Sequence, residues 1–297
     1  MKANSVFRSE FGRLAIMNWY DEQVKNWAVK TEPRLIRTSA GMTYVLQAGS
    51  PDAPPVVLLH GNNMNAATMG DLINILAGDF RVFAIDIIGM PGKSAGKRLP
   101  HTDKSYAQWL LEVINQLGIQ KAAFVGFSFG GWIILNLAAI AGEKIRKTIL
   151  LDSGGFTQFT MKSKIKAGLG VLLYNWFQNN RMQKWAIDRV FFGPECVPDH
   201  DFVRFLGLTY KHLTFNMEFV KHGVPPLLPG ELSSFSAPSM VLFGEFDLFF
   251  HAEKSLAAAR QVIPNVKVGK IVKGQGHVFE KKAAEVIYKD MAEFIKV

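Results

Sequence analysis

Gly126-Phe127-Ser128-Phe129-Gly130 follows the apolar run Ala122 to Val125 and opens a second apolar stretch, Trp132 to Ile140. A serine placed on a sharp turn between a buried strand and a helix becomes an exposed nucleophile, so this pattern restricts the chain to folds that build strand-turn-helix units. The glycines have a steric reason. The expected collision is between positions 126 and 130 themselves, passing each other on either side of a strained serine.

A serine hydroxyl is a weak nucleophile without a base, and the base needs an acid to orient it. Both are available downstream at the ends of expected strands. Ser239 to Phe243 reads as a buried strand running into Gly244-Glu245-Phe246-Asp247, which puts a carboxylate just past its carboxyl end. Val266 to Val272 reads as another strand, followed by the flexible Gly274-Gln275-Gly276-His277, which delivers an imidazole. Asp152 is a rival to Asp247, since it also sits just past a strand. Acyl chemistry further requires main-chain N–H donors aimed at the oxygen that turns negative, each worth roughly 3 kcal/mol in the transition state. The run Pro55 to Leu59 ends in His60-Gly61-Asn62-Asn63, so the expected donors are the N–H groups of Asn62 and Phe129.

Strand and helix patterns alternate through most of the chain. Arg34 to Thr38 and Met42 to Gln47 read as a hairpin at a sheet edge, joined at Ser39-Ala40-Gly41. Further strands are expected at 56–60, 81–86, 122–126, 147–152, 239–243 and 266–272, eight in all, giving a mostly parallel sheet covered on both faces. In the intervening helices, Trp109, Leu110, Val113, Ile114 and Leu117 share one face, and near the end Ala283, Ile287, Met291 and Phe294 do the same. More than eighty residues separate the sixth strand from the seventh, where one crossover helix would suffice. The expected organisation is therefore a core of residues 1–154 and 236–297 with a helical cap at 155–235. Leu169, Leu172, Leu173, Trp176 and Phe177 give one cap helix a broad apolar face, and Trp185, Phe191, Phe192, Phe202, Phe205, Phe215 and Phe219 continue the aromatic content. A lid of this composition implies an apolar or aromatic substrate.

These stretches together resemble the α/β-hydrolases with a serine nucleophile, whose serine, acid, histidine order along the chain is the one found here. Within that superfamily the chain is similar to Bacillus-type carboxylesterases of the naproxen-esterase kind. The likeness is carried by Trp19, Tyr20 and Trp27, by Asp52 to Gly61, by Ala84 to Gly89, by the elbow and by the late Gly276-His277, and it is weakest from about 155 to 235. The resemblance implies an α/β-hydrolase fold and an esterase with Ser128 as nucleophile, His277 as base and Asp247 as acid, needing no cofactor or metal. Hydrolysis of a carbon–carbon bond or a thioester is the same-class alternative. Dienoate hydrolases tend to carry an arginine close to the serine, whereas Trp132 and Ile133 stand here. A ligand receptor built on the same scaffold is the alternative from another class. One departure concerns the loop Asp86-Ile87-Ile88-Gly89-Met90-Pro91-Gly92-Lys93-Ser94, which is one residue longer than the usual Asp-x-x-Gly-x-Gly-x-Ser pattern and leaves the geometry of that loop open.

Composition removes other classes. With 297 residues and 48% hydrophobic content the chain builds a large core, and no stretch is apolar and long enough to span a bilayer. Met1 to Glu10 lacks the apolar core of a secretion signal, which gives the expectation of a cytoplasmic protein. Cys196 is the sole cysteine and reads as packing. The net charge of +9 is spread along the chain, without the aromatic interleaving of a nucleic-acid surface. Its one local excess, Lys162, Lys164, Lys166, Arg181, Lys184 and Arg189, reads as a solvated face, with weak attraction to a lipid surface or an acidic substrate as the sharper reading. The expected partner is a small-molecule ester, and the expected assembly a monomer or homodimer. Gly92-Lys93-Ser94 fails as a phosphate loop because Ile87 stands where its first glycine is required.

Overall fold

A computed structural model describes residues 6–158, 165, 188, 190–214, 216, 219 and 222–296. The expected cap helix around Leu169 to Phe177, Trp185, Phe215 and the local excess of lysine and arginine lie outside the described residues. The described part is an eight-stranded sheet in the order β1-β2-β4-β3-β5-β6-β7-β8. Its strands are β1 (Thr31–Thr38), β2 (Gly41–Ala48), β3 (Pro55–Leu59), β4 (Arg81–Ile85), β5 (Ala122–Phe127), β6 (Ile145–Leu151), β7 (Ser239–Gly244) and β8 (Val266–Val272). From β4 to β8 all pairings are parallel, while β2 runs antiparallel to both β1 and β4. The edge hairpin pairs Thr38 with Gly41, whose φ of 131° suits glycine.

Alternating side chains feed two cores. Val57, Leu59, Ala122 and Phe124 face a layer made by α3 (Ser105–Gln116), α4 (Phe129–Ala141) and α6 (Ala252–Val262). Val56, Leu58, Ala123 and Val125 face α2 (Gly70–Leu76) and α7 (Lys281–Lys296) on the other side. Strands buried on both faces read as continuous apolar runs, which is why β3 and β5 were legible. The α3 stripe stands as expected. In α7 the expected Ile287 and Met291 are buried beside Ala284, Ala292 and Ile295, while Ala283 and Phe294, like Leu117 at the end of the α3 stripe, are half-buried.

The leading segment is helical, α1 (Glu10–Lys25), capped by the Ser9 side chain accepting from the Gly12 N–H. It buries Ile16, Met17, Trp19 and Tyr20, and it packs against α5 (His200–His212). The rings of Trp19 and Phe205 lie 4.4 Å apart, and Phe7 pairs with Leu213 in an isolated β-bridge. Among the described residues no helix is long and apolar enough to cross a membrane.

Candidate active site

Ser128 sits between β5 and α4 with φ 52° and ψ −110°, a conformation disfavoured for a residue with a Cβ. Its N–H donates to the Leu151 carbonyl on β6 at 2.9 Å, and its carbonyl accepts from Gly154 at 3.1 Å and Trp132 at 3.3 Å. The strain is thus held by hydrogen bonds on both sides. The glycine requirement is real, but the expected collision is not the one that occurs. A Cβ on Gly126 would lie 2.5 Å from the N of Gly131, and one on Gly130 would lie 2.3 Å from the Leu59 carbonyl oxygen. Gly126 makes room for the incoming helix, and Gly130 lets that helix approach the neighbouring strand β3.

The three expected groups meet at the carboxyl ends of β5, β7 and β8. His277 Nε2 lies 3.1 Å from Ser128 Oγ, and His277 Nδ1 lies 2.9 Å from Asp247 Oδ2. Asp247 accepts with its other oxygen from the main-chain N–H groups of Phe249 at 2.7 Å and Phe250 at 3.1 Å, which fixes its rotation. His277 is 5% exposed and walled by the rings of Phe127, Phe249 and Phe250, with centroids 5.0, 4.7 and 5.8 Å away. These three phenylalanines were not singled out from sequence. Phe249 and Phe250, immediately after the acid, were the available signal. Phe191 packs on Phe249 and Phe219 on Phe129, so described residues from between β6 and β7 reach both the acid loop and the elbow.

Asp152, the rival acid, ends β6 with φ 43° and is fully buried. Its Oδ1 accepts from the Gly244 N–H at 2.8 Å, whereas Oδ2 has no hydrogen-bond partner among the described residues. A carboxylate oxygen of Asp152, one of Asp247 and a ring nitrogen of His277 lie within 4.8 Å of one another. Both ring nitrogens of His277 are engaged along the Asp247–Ser128 row, so the cluster has the geometry of a proton-handling pair and not of a ligand set.

The loop after β3 is braced from several sides. His60 is fully buried; its Nε2 accepts from the Ile87 N–H at 2.9 Å, leaving Nδ1 to donate to the Gly61 carbonyl at 2.8 Å. Burial holds its pKa down at about 4, which makes it a neutral strut and not a base. Asn63 adopts φ 56° and its N–H meets Met90 Sδ at 3.3 Å. Asn62 precedes it, in the turn closed by the Met64 N–H on the Gly61 carbonyl at 3.2 Å. Phe129 opens α4, so its N–H stands outside the helical bonding ladder.

The lengthened loop after β4 closes around Asp86. Its carboxylate accepts from Ala66 N at 2.8 Å and Lys93 N at 2.7 Å, and Ser94 Oγ donates to its carbonyl at 2.6 Å. Gly92 abuts that carboxylate, where a Cβ would lie 2.5 Å from Cγ, so the inserted residue is absorbed without loosening the turn. Cys196 also has a structural place: its thiol meets the Gly274 carbonyl at 3.3 Å, and Val278 N donates to Phe191 O at 2.8 Å, bracing the loop that carries His277.

Comparison with known proteins gives this architecture a setting. Residues 54–190 match the family described as alpha/beta hydrolase fold. The Bacillus subtilis carboxylesterase nap is 26% identical, the alignment covering 93% of this chain and 90% of its own length. Carboxylesterase YbfK of the same organism is 24% identical, over 93% and 92%. The crystal structure of naproxen esterase (carboxylesterase NP) from Bacillus subtilis superposes with a TM-score of 0.81 at 25% identity, covering 96% of this chain and 98% of that one. The chain has the α/β-hydrolase fold and, over more than nine-tenths of its length, resembles these Bacillus carboxylesterases.

Proposed function

We propose that the protein is a serine carboxylesterase acting on small apolar or aromatic esters, with Ser128 as nucleophile, His277 as base and Asp247 as orienting acid. The observation that carries this reading is the Asp247–His277–Ser128 row, with contacts of 2.9 and 3.1 Å, on a serine held in a strained elbow. The relatives named carboxylesterases support the same reaction class.

In the first half-reaction Ser128 Oγ attacks the ester carbonyl while His277 Nε2 takes its proton, and Asp247 stabilises the imidazolium. The N–H groups of Asn62 and Phe129 receive the oxyanion. The alcohol leaves with the proton returned by Nε2, and water, activated by the same nitrogen, then releases the acid from the acyl-enzyme. A cap contributed from between β6 and β7 is supported by Phe191 packing on Phe249 and Phe219 on Phe129. The apolar substrate preference is supported by Phe249 packing on His277 and Phe219 packing on Phe129, the residue after Ser128.

The test is hydrolysis of p-nitrophenyl esters across acyl lengths by the protein and its Ser128→Ala variant. Loss of about three orders of magnitude in kcat/KM is expected, and unchanged turnover would refute the assignment. Turnover of thioesters or carbon–carbon substrates exceeding that of every ester would move the reading to the same-triad alternative.

A further inference from the structure

Two carboxyl groups crowd the imidazole where the row needs one. Asp247 has three donors: two main-chain N–H groups on Oδ1 and the His277 ring on Oδ2. Asp152 has one, the Gly244 N–H on Oδ1, and its Oδ2 faces no donor among the described residues although the residue is fully buried. Two buried carboxylates this close do not both ionise, and the proton goes to the one with fewer donors. We propose that Asp152 is a positioning residue of the candidate triad, a carboxyl kept in its acid form whose Oδ2–H is presented to Asp247. The proposal rests on the triad reading above.

Asp152 is fixed in this place by backbone as well as side chain. Its N–H donates to Leu242 O at 2.8 Å and its φ of 43° turns the chain sharply off the end of β6. Burial, and after it the charge of Asp247, pushes its pKa well above the ordinary carboxylate range, in agreement with the donor count. The charged and titratable groups facing it are Asp247 from the loop after β7, His277 from the loop after β8, and His60 from the end of β3. The last of these borders the same cavity of about 140 Å³ as Asp152. Asp71, Asp199, Lys281 and Tyr288 also line that cavity, with Lys281 paired to Asp71 at 3.9 Å.

A neutral Asp152 does two things for the row. It supplies a hydrogen bond to the acid without adding a second negative charge beside the imidazole. An ionised one would raise the proton affinity of His277 and keep the base protonated at higher pH.

The experiment compares the full-length protein with Asp152→Asn, which stays neutral and keeps both an acceptor and a donor, and with Asp152→Ala, which keeps neither. Infrared spectra at about pH 8 should show the carbonyl band of an un-ionised carboxyl in the wild type that is missing from Asp152→Asn. The pH profile of kcat/KM for a p-nitrophenyl ester should keep its acid limb in Asp152→Asn, whereas Asp152→Ala should lose about tenfold or more in kcat with little change in KM. Absence of the band, or a fall of the acid limb in Asp152→Asn that reports removal of a native negative charge, would overturn the proposal. The infrared result does not depend on turnover, so it reads out even if Asp152→Ala fails to fold. Failure of the Ser128 assignment would show separately, as activity surviving in Ser128→Ala.

Discussion

Replacing Asp86 with asparagine should change how stability depends on pH, by an amount that follows from two buried groups of opposite linkage. Asp86 is completely buried, and burial, only partly offset by its main-chain donors, raises its pKa from 3.8 to about 6. A raised folded pKa contributes stability that is fully present below the unfolded value and lost as pH rises through the folded one. The gap of about 2 units corresponds to about 3 kcal/mol at 1.36 kcal/mol per unit. His60, whose Nε2 holds the N–H of the very next residue, Ile87, runs the other way. Its pKa falls from 6.5 to about 4, so its contribution is present above 6.5 and lost as pH falls through the lower value, again by about 3 kcal/mol. Between about pH 4 and 6 the two slopes oppose each other. Asp86→Asn removes one of them. Urea unfolding of both proteins from about pH 7 to pH 3.5 should therefore show the wild-type advantage growing by about 3 kcal/mol toward acid, superimposed on a pH-independent offset from the altered hydrogen bonds. His60→Gln should show the mirror image, the wild type losing about 3 kcal/mol relative to the variant over the same range. A wild-type-minus-variant difference that stays flat for Asp86→Asn would refute the reasoning, because every other titrating group is common to both proteins.

Two further outcomes follow from packing. Gly126→Ala sets a methyl group 2.5 Å from the N of Gly131, so thermal unfolding should drop by several degrees and ester hydrolysis should fall with it; an unchanged Tm would mean that the elbow relaxes freely. Trp19→Ala empties a fully packed site against Phe205 and should cost about 3–5 kcal/mol in urea unfolding, and a loss under about 1 kcal/mol would show that α1 is not secured through this ring.

What was readable from sequence is what depends on local patterning. β3, β5 and β7 are buried along nearly all their length because both faces are covered, and Ser128 and Asp247 follow such strands while His277 follows the half-exposed edge strand β8, so their meeting at one end of a parallel sheet followed from topology. Long-range steric reasons were not readable. The partner of Gly130 is the Leu59 carbonyl on another strand, and no inspection of positions 126 to 130 reveals it. The helix α1 went unrecognised as a helix for a similar reason. Its polar and apolar positions are nearly balanced and interleaved, and Trp19 and Tyr20 make sense only beside Phe205 and Tyr44 from elsewhere in the chain.

The packing of the first helix on α5 is continued just outside both helices by Arg8 Nε donating to the Leu213 carbonyl at 2.8 Å, a contact between positions 205 residues apart. During synthesis, Ile16 and Trp19 leave the ribosome long before Phe205 exists to receive them. The nascent chain consequently carries a helix whose Ile16, Trp19 and Tyr20 face has no cover through most of its elongation, a segment open to chaperone capture or aggregation.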